Sequence, residues 1–436
     1  MKNQNNNNNI SLIPILLVNF IGTLGFSVVL PFLVFLVTRF GGNAFLFGIT
    51  ASIYPFFQLI GAPLLGKWSD IYGRKKILLL SQIGTTISGL LFIFAIFLPI
   101  IPLYKINIST LGSFFITIPL IILIIARALD GITGGNVSVA NAYIADITKE
   151  KDRKKNYGKM SISSNLGFII GPALAGILGA TIYKELIPVV AAFIISLIAV
   201  FIISIYLPES KSFDIKSRFD QLTIRKIFGQ EQKSCYTINK DKKIKLADVL
   251  KIKNIPYLLL LYFLIFLGFN LFYTAFPIHA SQKLLWSITE LGIYFAFLSF
   301  IMVIIQGPVL SYISKKISDS SLIVIGNIFL GINFILLFSL DNRIVYIAAV
   351  FFAVGNGFMW PSFLSYLSRV AGSKLQGSVQ GFASSFGSIS SIIGLILGGL
   401  LYSFIGVSVF LISSFVIFLV VILSLKLINI EKVITT

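Results

Sequence analysis

The chain has 436 residues, of which 56% are hydrophobic and 12% charged. About a quarter of the residues of a water-soluble domain are charged, so this composition excludes an ordinary soluble protein. The formal net charge is +19, but the basic residues fall in short clusters between long apolar runs, and no nucleic-acid partner is expected.

A helix of about 20 apolar residues crosses the ~30 Å hydrocarbon core of a bilayer and satisfies its own backbone hydrogen bonds there. Twelve such runs follow one another, at 10–38, 44–65, 76–99, 115–145, 158–182, 186–207, 254–279, 288–312, 320–340, 344–368, 376–403 and 405–428. They are continuous, unlike the ~10-residue alternating segments of a membrane β-barrel. The expected fold class is all-α integral membrane, with twelve transmembrane helices in two six-helix bundles. Residues 1–9 form a polar, asparagine-rich tail. The first run is too long for a signal peptide and is read as a retained helix. Residues 10–207 are the first bundle, 208–253 a basic linker, 254–428 the second bundle and 429–436 a short tail.

With both termini placed in the cytoplasm, the segments left outside hold only Arg39, Lys105, Lys184, Lys283 and Arg343, and Arg127 lies within a run. Nearly all other basic residues then lie inside, twelve of them in 208–253, which satisfies the positive-inside rule. A multi-pass location in the plasma (inner) membrane follows as the expectation. The linker reads as a solvated loop, with an amphipathic helix on anionic lipid as the alternative. The sole cysteine, Cys235, excludes an intrachain disulfide and a cysteine-based metal cluster. No nucleophile–base set, nucleotide loop or metal cluster is visible, so neither an enzyme nor a cofactor is expected.

The two halves resemble each other. A shift of 223 residues places Gly134 on Gly357, Tyr143 on Tyr366, Gly158 on Gly381, Gly171 on Gly394 and Gly176 on Gly399. Internal repeats mark transporter folds whose substrate sits between the repeats.

Three segments carry mechanism. After the second run, Gly66-Lys-Trp-Ser-Asp70-Ile-Tyr-Gly73-Arg74-Lys-Lys offers two glycines for a tight turn. It also offers a carboxylate for free N–H groups at a helix start and an arginine for a neighbouring carboxylate; a basic loop that merely sets topology is the plain alternative. In the fourth run, Arg127, Asp130, Gly134, Ser138 and Asn141 share one helical face. An arginine or aspartate at mid-membrane costs about 2.5–3.5 kcal/mol on insertion scales, so these residues point to a cavity. The pair reads as a proton-coupling site, with a structural ion pair as the alternative. In the fifth run, Gly158, Gly167, Gly171, Pro172 and Gly176 allow close helix approach and a bend.

The loop at 66–76 matches the signature of the major facilitator superfamily. The helix-five spacing resembles the antiporter signature of its drug-exporting members. Together with 19–31, the run ending at Asp146 and 355–381, the chain resembles the twelve-span drug/proton antiporters, tetracycline exporters in particular. The resemblance implies two bundles working by alternating access. It implies that Asp70 and Arg74 tie the bundles on the cytoplasmic side, that Asp146 pairs with Arg74, and that Arg127 helps deliver protons. Asn19 stands where relatives often carry an acid, and the second-half loop, 307–319, lacks the full motif. The expected partners are a small-molecule substrate, protons and the lipid bilayer, with the chain a monomer. Substrate-cavity candidates are Asn19, Phe26, Ser138, Asn141, Asn270, Tyr273, Asn356 and Trp360. His279, the sole histidine, is expected at the outer interface. A metabolite transporter on the same fold and a non-transporting receptor or scaffold are the rival readings.

Overall fold

A computed structural model describes residues 11–108, 111–134, 136–148, 153–210, 250–252 and 254–435. The expected tail at 1–9 and nearly all of the linker, Cys235 included, lie outside the described residues.

Helix α1, Ile13–Arg39, opens on a proline in its first turn, where a missing N–H costs nothing. It bends by 42° at Pro31. Helix α2, Ala44–Tyr72, starts at Asn43, whose side chain accepts from the Leu46 N–H at 3.1 Å. Helix α3 is Arg74–Phe97. A hairpin of strands β1, Pro102–Ile108, and β2, Gly112–Thr117, follows. Then come α4, Ile118–Thr133, α5, Asn136–Ile147, α6, Arg153–Gly179, and α7, Leu186–Tyr206.

The second half begins with α8, Ile255–Gln282. Helix α9, Ile288–Ile304, is opened by a capping box between Ser287 and Glu290. It continues through a π turn at Ile305–Val309, where Pro308 supplies no N–H, into Leu310–Ile313. Helices α10, Asp319–Leu336, α11, Asn342–Ile405, and α12, Val409–Thr435, complete the chain.

The fold is helical throughout the spans, and three features differ from the reading of the sequence. The fourth run was expected to be helical from residue 115, but β2 extends to Thr117 and the helix starts at Ile118. Tyr104, Ile106, Ile108, Phe114, Phe115 and Ile116 are β-branched or aromatic, and apolarity alone does not separate strand from helix. Helix α4 then ends at Gly134, so one expected span is two helices. The tenth and eleventh runs, expected to be separate, form the single helix α11; no proline interrupts it after Pro361. Among the described residues, nine helical segments are long and apolar enough to span a membrane, ten with the bent α1. Twelve separate spans are therefore not reached by length and apolarity.

Within the first half, α1 packs on α6 and α7, α2 on α4, and α3 on α4 and α7. Within the second, α8 packs on α11 and α12, and α10 on α11 and α12. The halves meet mainly where α2 meets α11 and where α6 meets α9. The hairpin is fixed at one end of the first half, here termed the hairpin end. Thr117 Oγ1 donates to Phe40 O at 2.7 Å, Asn43 Nδ2 to Leu111 O at 2.7 Å, and Phe115 N–H to Gly41 O at 2.8 Å. The turn between α2 and α3 lies at the opposite end, the loop end.

Candidate functional site

In the C-terminal half of α4, Arg127 and Asp130 are both buried, their side chains 3.6 Å apart. The Arg127 guanidinium lies over the Tyr54 ring of α2, 4.9 Å from its centroid. Its Nε has no hydrogen-bond partner among the described residues. Thr85 of α3 lies beside the Asp130 side chain. Gln58 of α2 donates to Gly134 O at 3.0 Å and to Tyr54 Oη at 3.2 Å. Phe26 of α1 lies against Tyr54, centroids 4.9 Å apart, and edge-on to Phe168 of α6 at 6.2 Å. Small residues make this assembly possible. A Cβ on Gly131 would meet Tyr54 O at 2.5 Å, so α2 can lie directly on α4 only where no side chain intervenes. The result is one carboxylate and one guanidinium, partly neutralised by each other and walled by aromatic rings.

Of the expected helix-four face, the structure brings together Arg127, Asp130 and Gly134. The break after Gly134 puts Asn141 on the next helix, half-buried. Ser138 also lies on α5, but its side chain is outside the described residues, as is residue 158 of the helix-five motif. Asn19 donates to Ser164 Oγ at 2.7 Å and Met160 O at 3.1 Å, engaging its amide in tying α1 to α6. Gly167 and Gly171 lie against α1, at Leu24 N and Val28 N respectively, whereas Gly176 reaches α9 of the other half.

At the loop end, Arg74 is the centre of a buried network. Its Nη2 is 2.6 Å from Asp70 Oδ1, its Nε 3.0 Å from Asp146 Oδ2, and its Nη1 2.5 Å from Ser69 Oγ. Two expectations change here. Only Gly73 makes the turn, at φ +101°, because α2 runs on through Gly66 to Tyr72. The N–H groups that open α3 are taken not by Asp70 but by Glu209. Its Oε1 accepts from Arg74 N–H at 2.8 Å and its Oε2 from Lys75 N–H at 3.2 Å. Asp70 lies one turn before Arg74, so it meets the side chain rather than the helix start. A Cβ on Gly73 would sit 2.5 Å from Glu209 Oε2. Tyr143 Oη donates to Pro208 O at 2.9 Å, and Ser210 Oγ to Asp146 Oδ2 at 3.1 Å. The chain leaving α7 is thus bound beneath the loop.

The second half carries a matching network, unforeseen from its incomplete loop motif. Arg369 of α11 is 2.8 Å from Asp319, at the start of α10, and 2.6 Å from Glu431, near the end of α12. Glu431 Oε2 also accepts from the Ser320 N–H at 2.9 Å. Of the other cavity candidates, Asn270 donates to Ser391 Oγ at 3.0 Å, and Asn356 to Met302 Sδ at 3.1 Å. Trp360 packs on Phe266 and Tyr262, each 5.4 Å away by centroid. Tyr273 leaves 40% of its surface exposed beside Phe269, Phe272 and Phe352. His279 is fully buried against Tyr402 and Phe410, not interfacial.

Apolar helices that bury an ion pair and carry a charged network in each half at the loop end define a multi-pass integral membrane transporter. The sequence pattern described as Major Facilitator Superfamily matches residues 15–244 and 258–433, and the chain belongs to that superfamily. It is therefore a transporter and not an enzyme. It is 26% identical over 399 residues to the tetracycline resistance protein, class H, of Pasteurella multocida, covering 91% of this chain and 90% of that protein. It is 25% identical over 388 residues to multidrug resistance protein 2 of Bacillus subtilis (strain 168), covering 88% and 86%. A D-xylose–proton symporter structure superposes with a TM-score of 0.71 at 15% identity, covering 95% of this chain and 96% of that one. The human organic anion transporter MFSD10 gives 0.60 at 19% identity, covering 97% and 100%.

Proposed function

We propose that this chain exports small, partly apolar compounds against an inward flow of protons, by alternating access. The observation that carries this reading is the buried Arg127–Asp130 pair beneath Tyr54. A carboxylate at that depth is stable as an anion only while its cation stays close. Protonation from one side removes the charge, loosens the pair and changes which arrangement of the two halves is favoured. The similarity to tetracycline and multidrug resistance proteins supports export of drug-like solutes. Each charge crossing 100 mV supplies about 2.3 kcal/mol, and a tenfold solute gradient costs about 1.4 kcal/mol. One or two protons per cycle therefore suffice.

The distribution of lysine and arginine supports a plasma (inner) membrane topology with the loop end, both termini and the linker in the cytoplasm, and the hairpin outside. A single chain holds both halves of the fold, which supports a working monomer. Phe26 and Phe168 on one side, and Phe266 and Trp360 on the other, supply aromatic walls for the substrate.

The test uses inside-out vesicles with an acid interior and a pH-sensitive dye. Tetracyclines, cationic dyes and quinolones are added in turn. The expected result is proton release evoked by one of these classes and abolished in Asp130→Asn, with that variant still folded by size-exclusion chromatography. Full coupled transport by Asp130→Asn would sink the coupling role. Silence across the panel would point instead to a solute of the host's own metabolism.

A further inference from the structure

The hairpin is an addition to the repeat. Residues 98–117 join α3 to α4, whereas 337–341 suffice to join α10 to α11, the corresponding pair of the second half. A connection standing in water is rich in charge, since about a quarter of the residues of a soluble domain are charged. Between Lys76 and Arg127, however, this chain carries one charged residue, Lys105. Helix α3 has 24 residues, about 36 Å at 1.5 Å each, so it outruns the ~30 Å hydrocarbon core and delivers Phe97 to the level of the headgroups.

The exposed side chains of α3 recur at helical spacing, at Leu90, Phe94 and Phe97, with Phe92, Ala95 and Ile96 buried between them. This apolar stripe is the face that α3 turns to lipid. On α4, Ile118, Ile121 and Ile125 form its neighbour. The apolar surface does not stop where the helices do. Ile101, Leu103 and Tyr104 carry it onto β1, and Phe115 carries it onto β2. Tyr104 is 71% exposed, as open as Phe97 at 70%. Farther along the ribbon the exposed residues are mostly polar or small, Asn107, Gly112 and Ser113 beside Ile108. Lys105 lies at the change of character, paired across the ribbon with Phe115, its ammonium 5.7 Å from the centre of that ring.

We infer that the base of the hairpin, Ile101 to Tyr104 with Phe115, is a membrane-docking surface that rests in the phospholipid headgroup layer at the hairpin end. Continuity with the lipid-facing stripes of α3 and α4 selects the occupant, because a protein seated on this base would have to share it with the lipid against Phe97 and Ile118. The residue types agree. Tyrosine is enriched at the membrane–water boundary, and a lysine there keeps its stem in apolar surroundings and its head among the phosphates. The polar tip, Asn107 to Ser113, stands in water. The docking holds the first half at the bilayer surface, and the short connection at 337–341 gives the second half no counterpart.

Its test needs neither a substrate nor a proton gradient, nor a choice of which face is outside. Cys235→Ser removes the sole cysteine. Ile101→Cys, Tyr104→Cys and Asn107→Cys are then each labelled with a nitroxide, with Phe94→Cys as the lipid-facing reference. The proteins are placed in liposomes of phosphatidylethanolamine and phosphatidylglycerol and freeze–thawed with the reagents, so that both faces are reached. Relaxation of each label is measured against oxygen, which concentrates in lipid, and against a water-soluble nickel chelate. The labels at 101 and 104 are expected to favour oxygen, as the label at 94 does, and the label at 107 to favour nickel. Leu103→Asp, which sets a carboxylate in the docked base, is expected to shift the label at 104 towards nickel and leave the label at 94 unchanged. Nickel access at 104 equal to that at 107 would overturn the docking, because the whole hairpin would then stand in water. Protection of 104 from both reagents would overturn it too, because a second copy or another protein would then cover the base.

Discussion

Arg74 and Arg369 each join two carboxylate-bearing helices, yet their surroundings give them different energetic weight. The Arg74 side chain is 9% exposed and that of Arg369 46%. Removing one partner of a buried pair leaves an uncompensated charge and costs about 3–5 kcal/mol. Removing one partner of an exposed pair costs about 1 kcal/mol or less. Arg74→Ala is therefore expected to lower the unfolding temperature far more than Arg369→Ala, measured by heating both variants in the same detergent. Tyr54 gives a second contrast. A desolvated cation over an aromatic ring gains about 2 kcal/mol. Tyr54→Phe keeps that ring and is expected to stay close to wild type in proton-linked flux, whereas Tyr54→Leu is expected to lose most of it. Equal loss in both would assign the effect to the hydroxyl and its bond from Gln58. Neither Tyr54 nor Gln58 announces itself in the sequence, because neither carries a charge. Arg127 and Asp130 do, because charges are rare at that depth and carry a reason with them.

At the scale of elements, the loop ends of the two halves are built by one rule applied with opposite charges. The shift of 223 residues that superimposes the glycines also places Asp146 on Arg369. Asp146 pairs with an arginine that opens α3; Arg369 pairs with an aspartate that opens α10. In each half a glutamate near the end of the last helix, Glu209 or Glu431, accepts a hydrogen bond from an N–H at the same helix start. That correspondence was present in the sequence, but the second-half loop lacks the glycine–arginine motif, and the eye follows motifs. Glu209 was hidden for another reason: it falls just after an apolar run and was counted with the linker. A carboxylate at a helix start contributes about 1 kcal/mol through free N–H groups and the helix dipole. Glu209→Ala is accordingly expected to destabilise by about that amount, and Glu209→Asp to do so less. Thermal unfolding of both variants beside wild type checks the order. The hairpin, the break at Gly134 and the unbroken α11 were not legible, because each depends on backbone choices that hydropathy does not encode.

Across the whole molecule, repetition of the half explains the paired contacts between the halves, and its limits explain the asymmetry in the middle. The glycine contacts repeat: Gly176 of α6 meets Gly292 of α9 as Gly399 of α11 meets Gly48 of α2, with no room for a side chain at either crossing. The ion pair does not repeat: the same shift carries Arg127 to Val350 and Asp130 to Ala353. One half thus holds the buried ion pair, and the other offers aromatic rings and amides at Trp360, Phe266, Asn270 and Asn356. The hairpin belongs to the first half alone, for every hydrogen bond described above as fixing it joins it to Phe40, Gly41 or Asn43. Strand β1 pairs with β2 along one edge of a two-stranded sheet, and the edge of such a ribbon is a template for a further strand. A synthetic binder laid along β1 would therefore ride with one half as a rigid fiducial. In single-particle images its tilt against the second half would report the angle between the halves directly.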